Sequence, residues 1–348
     1  MSKTLLCALA VVVACAPRQT QAQPLVSNIA IHINRQDGGE PAPIQRRYET
    51  LIRSAAKGDE IVLLQKYFRN EVLNRAIVDA ERRGVNILAI YRDEFHPRCE
   101  DLISPDDSID CAGIFFRRER VHHKSMVLHR SNGNSTAIIG SYNLRERHAT
   151  SPRVHTALSF DIESDDLFFA FYKLHADKIL GLSGADRTHL QMATEGGGSI
   201  SFTFHPSERR PLTDFLQAIS RCDGPLWLSY YRVTADAVGK PVVDRLGQLV
   251  KQGCDVRFLL DRDQDNHAIE QQLKSRGIAV HYPDERDGKL TLGHKLLMVR
   301  FSQQLRLSQS SANINQESHD RDYNLSIQLT GEFPEVERTL EEEFLRYW

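Results

Sequence analysis

Residues 121–129 read Val-His-His-Lys-Ser-Met-Val-Leu-His, and residues 293–299 read Gly-His-Lys-Leu-Leu-Met-Val. Both stretches place a lysine ahead of an apolar run, and Lys124 and Lys295 are 171 positions apart in a chain of 348 residues. The alternation of side chains over the first stretch predicts a β-strand. Two copies half a chain apart indicate an internal repeat.

A second pair of segments follows the first pair. Gly-Ser-Tyr-Asn occupies 140–143 and Ser-Ser-Ala-Asn occupies 310–313, so that Asn143 and Asn313 are 170 positions apart. Each copy holds too few polar groups for a complete reaction. The repeat therefore predicts one site that is shared between two halves of the chain.

The elements ahead of the motifs recur in the same order in both halves. The first half is predicted to contain a helix over 48–56, a strand over 61–64, a helix over 71–82 and a strand over 84–90. The second half is predicted to contain a helix over 212–220, a strand over 226–230, a helix over 242–251 and a strand over 253–260. Alternating strands and helices are typical of an α/β fold, so each half is expected to be a mostly parallel sheet flanked by helices.

A polar stretch at 183–199, which contains three consecutive glycines, predicts the boundary between the halves. The first half then spans 24–182 and the second spans 200–348.

The residues of the first motif suit the handling of a phosphate group. His122 and Lys124 are two positions apart, and a strand directs such side chains to one face. Lys124 can supply positive charge to a phosphoryl oxygen, and His122 can attack phosphorus or shuttle a proton. Gly140 permits a close approach of the backbone to a ligand, while Ser141 and Asn143 add neutral hydrogen bonds.

Repeated halves, His-x-Lys on a strand and a small-Ser-x-Asn segment after the next strand resemble the phospholipase D superfamily of phosphodiesterases. The resemblance implies one pocket at a pseudo-twofold interface between the halves. It also implies that one motif histidine attacks the phosphodiester to give a phosphohistidine, and that the other protonates the leaving alcohol. Neither a metal nor a cofactor is implied. Carried onto this sequence, His122 becomes the nucleophile, and the phosphate-binding residues become Lys124, Ser141, Asn143, Lys295, Ser311 and Asn313.

The sequence departs from the family pattern at three positions. The family's aspartate, five residues after each lysine, is replaced by His129 and Arg300. These residues fall on the opposite strand face from the lysines, so a supporting role is expected for them. The second departure is the long spacing from His129 to Gly140, where residues 130–134 are interpreted as an inserted hairpin turn. The third is Gly293, which occupies the position of the second histidine.

Three sources of the second proton remain open. His294 follows Gly293 directly and would face away on a regular strand, but a bulge at the glycine could turn it into the site as a general acid. Water and His319 are the alternatives. The remaining histidines show no metal-ligand spacing and are interpreted as structural, including His148, His155, His205, His267 and His281.

The N-terminus predicts export. Lys3 precedes an apolar run over 5–14 that has the length of a signal-peptide core and is too short to span a bilayer. Cleavage after Ala22 would remove residues 1–22, whereas Val-Val-Ala-Cys at 12–15 resembles a lipoprotein signal that would place a lipid on Cys15. The expected location is the periplasm, the outer membrane as a lipoprotein, or the exterior.

Cysteine usage in an exported protein favours disulfides. The predicted bridges are Cys99–Cys111 across a polar loop and Cys222–Cys254 at the ends of neighbouring strands.

Composition narrows the class of substrate. Apolar residues make up 41% and charged residues 26%, which is typical of a globular protein. The chain without residues 1–22 has 42 basic and 46 acidic side chains, and this balance disfavours a dedicated nucleic-acid binder.

The leading hypothesis is an exported phosphodiesterase that hydrolyses or transfers phospholipid headgroups, with peripheral contact to a membrane. Two alternatives remain open, a nuclease of the same superfamily and a catalytically impaired protein that binds phosphate or lipid headgroups. The sequence does not indicate the oligomeric state.

Overall fold

The computed structural model describes residues 25–34, 43–92, 114–145, 153–184, 187–262, 266–283 and 291–348. The predicted signal segment, Cys15, His148 and the predicted Cys99–Cys111 bridge lie outside the described residues.

Two large sheets form the framework of the molecule. The strands of the first half are β1 (Val26–Asn34), β2 (Glu60–Gln65), β3 (Phe68–Arg69), β4 (Asn86–Tyr91), β5 (Phe115–Arg117), β6 (Lys124–His129), β7 (Ser135–Gly140), β8 (Leu144–Arg145) and β9 (Arg153–Ile162). Those that follow are β10 (His189–Ala193), β11 (Ser199–His205), β12 (Leu226–Tyr230), β13 (Val256–Leu260), β14 (Ala279–His281), β15 (Thr291–Leu292), β16 (Lys295–Phe301), β17 (Gln304–Ser310) and β18 (Asn324–Gly331).

Helices cover the sheets. They are α1 (Pro43–Ser54), α2 (Glu71–Arg82), α3 (Leu167–Leu180), α4 (Pro211–Gln217), α5 (Gly239–Lys251), α6 (His267–Ser275), α7 (Gln316–Asp320) and α8 (Pro334–Tyr347), with a 3-10 turn at Glu195–Gly197. Among the described residues, no helix is both long and apolar enough to cross a membrane.

The α/β class and the two sheets agree with the sequence prediction, but the strand directions differ from it. The first sheet has the order β1-β9-β7-β6-β2-β4-β5 and the second has the order β10-β11-β18-β17-β16-β12-β13-β14. Along these two orders β2-β4-β5 and β12-β13-β14 pair in parallel, and the other neighbours are antiparallel. Two short pairs off these orders, β15 with β9 and β3 with β8, are also parallel. The sheets are therefore mixed rather than mostly parallel. The cause is short connections such as the turn at 130–134, which can join only antiparallel strands.

The core has three layers, and this explains why the central strands are apolar on both faces. Outer clusters lie between each sheet and its own helices, as with Ile61 and Leu63 in the first half. A central cluster lies between the two sheets and includes Val62, Phe160 and Phe202. The helices α3 and α8 contribute to that central cluster.

Matching hydrogen bonds join the two halves at the motifs. The backbone N–H of His122 donates to the carbonyl of Tyr323 at 2.8 Å, and that of Gly293 donates to the carbonyl of Val154 at 2.7 Å. Each motif is thus hydrogen-bonded to the opposite half, in one case to the residue just before β18 and in the other to a residue of β9. These matched contacts fit the expected pseudo-twofold relation, while the domain limits drawn from the sequence stay a prediction.

The predicted bridge between Cys222 and Cys254 is confirmed, with the two Cα atoms 5.4 Å apart. It joins residues 32 positions apart at one end of the second sheet. Replacing both cysteines by alanine is expected to lower the free energy of unfolding by about 3 to 4 kcal/mol, because the unfolded chain gains loop entropy. Urea unfolding of the double variant beside the wild type measures this. Equal unfolding midpoints would contradict a stabilising role.

Candidate functional site

His122 lies at the interface between the halves, immediately before β6. Its side chain is 6% exposed, and its Nδ1 lies 2.8 Å from Oδ1 of Asn324 on β18. The amide of Asn324 is oriented by its Nδ2, which donates to the carbonyl of Ser318, and by Ser311, which donates to its Oδ1. Nδ1 of His122 therefore carries the hydrogen and donates it, which leaves the lone pair on Nε2.

The protonation state of His122 suits a nucleophile. Burial and the charges of Lys124, Lys66 and Lys295 hold the pKa of His122 well below its usual range, although the bond to Asn324 opposes this. The imidazole is therefore neutral at pH 7, with a lone pair available on Nε2. His122 and Lys124 lie side by side, as their spacing predicts, with Lys124 Nζ 3.3 Å from Nδ1 of His122. Since Nδ1 donates to Asn324, this contact brings two donors together and is not a hydrogen bond.

The two motif lysines have equivalent surroundings. Lys124 is 2% exposed, and its ammonium donates to the carbonyl of His122 at 2.7 Å. Lys295 is 5% exposed, and its ammonium lies 3.5 Å from the carbonyl of Gly293. Each lysine thus contacts the backbone two residues earlier. The ring of Tyr231 lies 5.8 Å from the ammonium of Lys295.

Sequence reasoning missed three charged residues near this site. Lys66 and Arg92 directly follow β2 and β4, whose carboxyl ends meet at the same edge of the parallel pair. Asp322 lies 3.8 Å from Arg92. Burial, followed by the charges of Lys295, Lys66 and Arg92, holds the pKa of Lys124 well below its usual range, and Asp322 opposes this. A basic residue just after a buried strand was the signal that could have revealed Lys66 and Arg92.

This excess of positive charge favours an anion. Buried ammonium groups repel one another strongly in a medium of low polarity, and a phosphate that neutralises them removes that penalty. The arrangement can therefore bind a phosphodiester and stabilise the extra negative charge of its transition state.

The motif asparagines have unused polar groups. Oδ1 of Asn143 and Oδ1 of Asn313 are both buried without a hydrogen-bond partner. A bound ligand, or rotation of the amide, would satisfy them.

The motif serines are placed differently from the prediction. Ser141 donates to the carbonyl of Thr156 at 3.3 Å, and Ser311 donates to Asn324 at 3.0 Å. Ser311 also accepts from the backbone N–H of Leu325. Both hydroxyls hold a neighbouring strand, so they position the site rather than contact phosphate directly. The close approach of the backbone at Gly140 is to β9 and not to a ligand as predicted, because a Cβ at 140 would lie 2.3 Å from the carbonyl oxygen of Thr156.

The structure contradicts His294 as the general acid. Nδ1 of His294 lies 3.2 Å from Oγ of Ser229, and the ring is buried beneath α8 beside Leu296 and Phe344. The regular alternation of the extended chain turns it to the face opposite Lys295. Burial, followed by the charge of Lys295, lowers the pKa of His294 to about 3.

The alternative acid, His319, is also elsewhere. It lies in α7 with its ring 4.7 Å from that of His205. Burial, followed by the charge of Arg210, lowers its pKa to about 4. His319 is thus part of a separate buried group.

His129 and Arg300, which replace the family's aspartates, support the fold as expected. His129 stacks on Phe169 of α3 with ring centroids 4.2 Å apart. Arg300 forms two hydrogen bonds of 2.7 and 2.8 Å to Glu337 of α8. Each residue fastens a helix of the central layer to its sheet.

The sequence of the second half matches a known family model. Residues 215–348 match the family model described as the PLD-like domain of cardiolipin synthase. Residues 215–348 are a phospholipase D-like domain. The resemblance to the phospholipase D superfamily is thereby confirmed. This phospholipase D-like domain contributes Lys295, Asn313 and Asn324 to the site. No curated protein sequence is detectably similar to the chain.

Solved structures extend the likeness in fold to both halves. Phosphatidylserine synthase from Haemophilus influenzae Rd KW20 has a TM-score of 0.61 at 14% identity, and the match covers 91% of this chain and 85% of that one. A yeast tyrosyl-DNA phosphodiesterase variant has a TM-score of 0.54 at 11% identity, covering 86% and 90%. Polyphosphate kinase from Porphyromonas gingivalis has a TM-score of 0.57 at 15% identity, covering 90% of this chain and 49% of that one.

Proposed function

We propose that the protein is an exported phosphodiesterase that hydrolyses or transfers phospholipid headgroups through a phosphohistidine on His122. The observation that carries this proposal is a buried, neutral imidazole held by Asn324 among the lysines Lys124, Lys295 and Lys66. A neutral imidazole is a nucleophile, and the ammonium groups hold the phosphate that it attacks.

The preference for lipid rests on three observations. The matched family model is named for cardiolipin synthase, and one structural neighbour is a phosphatidylserine synthase. The predicted signal segment at 1–22 would direct the protein toward a membrane. The chain has no excess of basic residues to follow a nucleic acid backbone.

Headgroup release tests the proposal. The mature protein is incubated with labelled phosphatidylcholine, labelled phosphatidylglycerol, and single- and double-stranded DNA, beside His122→Ala. Release of lipid headgroup is expected, with a loss of at least about 1,000-fold in His122→Ala, because the covalent route is removed. Acid-labile label on the wild type alone would identify the phosphohistidine.

His319→Ala is the matched control, since it removes another buried histidine that lies outside the site. It is expected to keep activity close to that of the wild type. Turnover of DNA but not lipid would identify a nuclease. Binding of phosphate without turnover of any substrate would contradict an enzyme.

A further inference from the structure

Position 293 lacks the side chain that position 122 provides. The two positions correspond, because their backbone N–H groups make matching hydrogen bonds to the opposite half. A Cβ built on Gly293 would lie 2.2 Å from both Nδ1 and Cε1 of His155 and 2.8 Å from its Cγ. The ring of His155 therefore fills the volume that a side chain at 293 would occupy.

His155 is the counterpart of Asn324. The backbone N–H of Ser141 donates to the carbonyl of residue 156, and that of Ser311 donates to the carbonyl of residue 325. In each half, the residue that precedes this carbonyl also lies next to the hydroxyl of the serine whose N–H donates to it. Oγ of Ser141 is 3.4 Å from Nδ1 of His155, and Oγ of Ser311 is 3.0 Å from Oδ1 of Asn324.

Each half contributes a half-site, which consists of one motif residue and one residue on the strand that faces it. The histidine is the motif residue in the first half-site and the facing residue in the second. In one, the motif strand region supplies His122 and the facing strand supplies Asn324. In the other, the motif supplies Gly293 and the facing strand supplies His155. An imidazole is present in each half-site, but the second one comes from the facing strand, β9.

His155 adjoins the second motif, whose lysine is part of the same charged site as His122. Its side chain is 3% exposed, and its ring contacts Gly293, whose carbonyl faces the ammonium of Lys295. The charge of Lys295 is in turn close enough to lower the pKa of His122. Tyr142 packs edge-on against the His155 ring at 5.4 Å and limits its rotation.

We infer that His155 is the second catalytic histidine, a general acid that protonates the leaving alcohol in place of the histidine absent from position 293. The inference rests on the proposed function. Nε2 of His122 bonds to phosphorus as the bond from phosphorus to the leaving oxygen breaks, and the imidazolium of His155 gives its proton to that oxygen. Water then bonds to phosphorus and gives a proton to neutral His155 as the bond from phosphorus to His122 breaks.

A comparison of leaving groups tests this role. His155→Asn is expected to lower kcat on phosphatidylcholine by about 100-fold or more, which is the usual contribution of a general acid. On bis(p-nitrophenyl) phosphate, whose leaving group needs no proton, the loss is expected to stay below about 10-fold. His122→Ala should abolish both activities. An equal loss on the two substrates, or no loss on either, would overturn the inference while leaving the proposed function intact.

The exchange itself provides a second test. The double variant Gly293→His/His155→Asn gives the second half-site the residues of the first. It is expected to recover at least about 10-fold of the phosphatidylcholine activity that His155→Asn loses. Gly293→His alone is expected to lower the melting temperature, since the new side chain meets the ring of His155. If the double variant does not fold, the leaving-group comparison on the single variant decides the matter.

A protein that turns over neither substrate would overturn the proposed function. The position of His155 is then tested by adding tungstate, an oxyanion, and following the imidazole signals by NMR, with His155→Asn as the assignment control. A shift of the His155 signal supports its place in the anion site, and no shift overturns it.

Discussion

Replacing Lys124 by methionine is expected to remove most of the activity and to make the folded protein more stable. In the proposed mechanism the ammonium contacts the phosphate, and loss of one such group lowers kcat by about 100- to 1,000-fold. The same ammonium is buried among like charges, so its pKa lies well below its usual range. Its burial destabilises the folded state at pH 7, and an apolar side chain of similar length removes that effect. Headgroup release and the melting temperature measure the two effects.

Lys240→Met is the matched control, because Lys240 is exposed on α5 and pairs with Asp244. It is expected to change neither activity nor melting temperature by much. A lower melting temperature for Lys124→Met would contradict the claim that repulsion between the buried lysines destabilises the folded protein. Added phosphate should raise the melting temperature of the wild type more than that of Lys124→Met.

Mild acid is expected to unfold the protein. Burial is the main cause of a lowered pKa in a group of histidines, namely His122, His123, His175, His205, His294 and His319. Below pH 6.5 the unfolded chain takes up protons that the folded chain does not, so stability falls as the pH falls. Each such group contributes up to about 1.4 kcal/mol per pH unit, which together exceeds typical stabilities within a few units. A cooperative loss of structure between pH 6 and 4, followed by circular dichroism, is the expected result.

His123→Phe provides the specific check. Both ring nitrogens of His123 are buried without a hydrogen-bond partner, and the ring packs against Phe204. A phenyl ring at this position takes up no proton, so the acid midpoint is expected to move to lower pH. His267→Phe, at an exposed position, should leave the midpoint unchanged. A midpoint that does not respond to His123→Phe would contradict the histidine origin.

Local sequence signals predicted much of the fold. The helix over 71–82 has the predicted limits, because Asn70 caps its start and Gly84 adopts positive φ just beyond its end. The strand over 226–230 is likewise as predicted. The predicted strand direction is wrong for most of the sheets, although the turn at 130–134 is itself predicted, because the alternation of side chains is the same for parallel and antiparallel strands. Direction depends on the connections, and the turn at 130–134 makes an antiparallel hairpin.

The sequence predicts those residues of the candidate site that belong to a motif. His122 and Lys124 share a face because of their spacing, and the structure brings them together. Asn324 and His155 were missed because their importance depends on strands that are distant in sequence. Their separation of 169 positions matches the spacing of the repeat, but neither residue belongs to a motif. The sequence alone indicates a structural role for His155, and its contacts with Gly293 and Ser141 are what suggest a place in the site.

The contact between Gly293 and His155 also constrains the history of the sequence. If the halves began as copies with the residues of the first half, both carried a histidine on the motif and a short polar residue facing it. In its present rotamer, an imidazole at 155 leaves no room for a Cβ at 293. Loss of the side chain at 293 therefore had to precede or accompany the arrival of the imidazole. An ancestor with glycine at 293 and a short residue at 155 would have had a gap beside Lys295, and it is the form from which the present pair could arise by one further substitution.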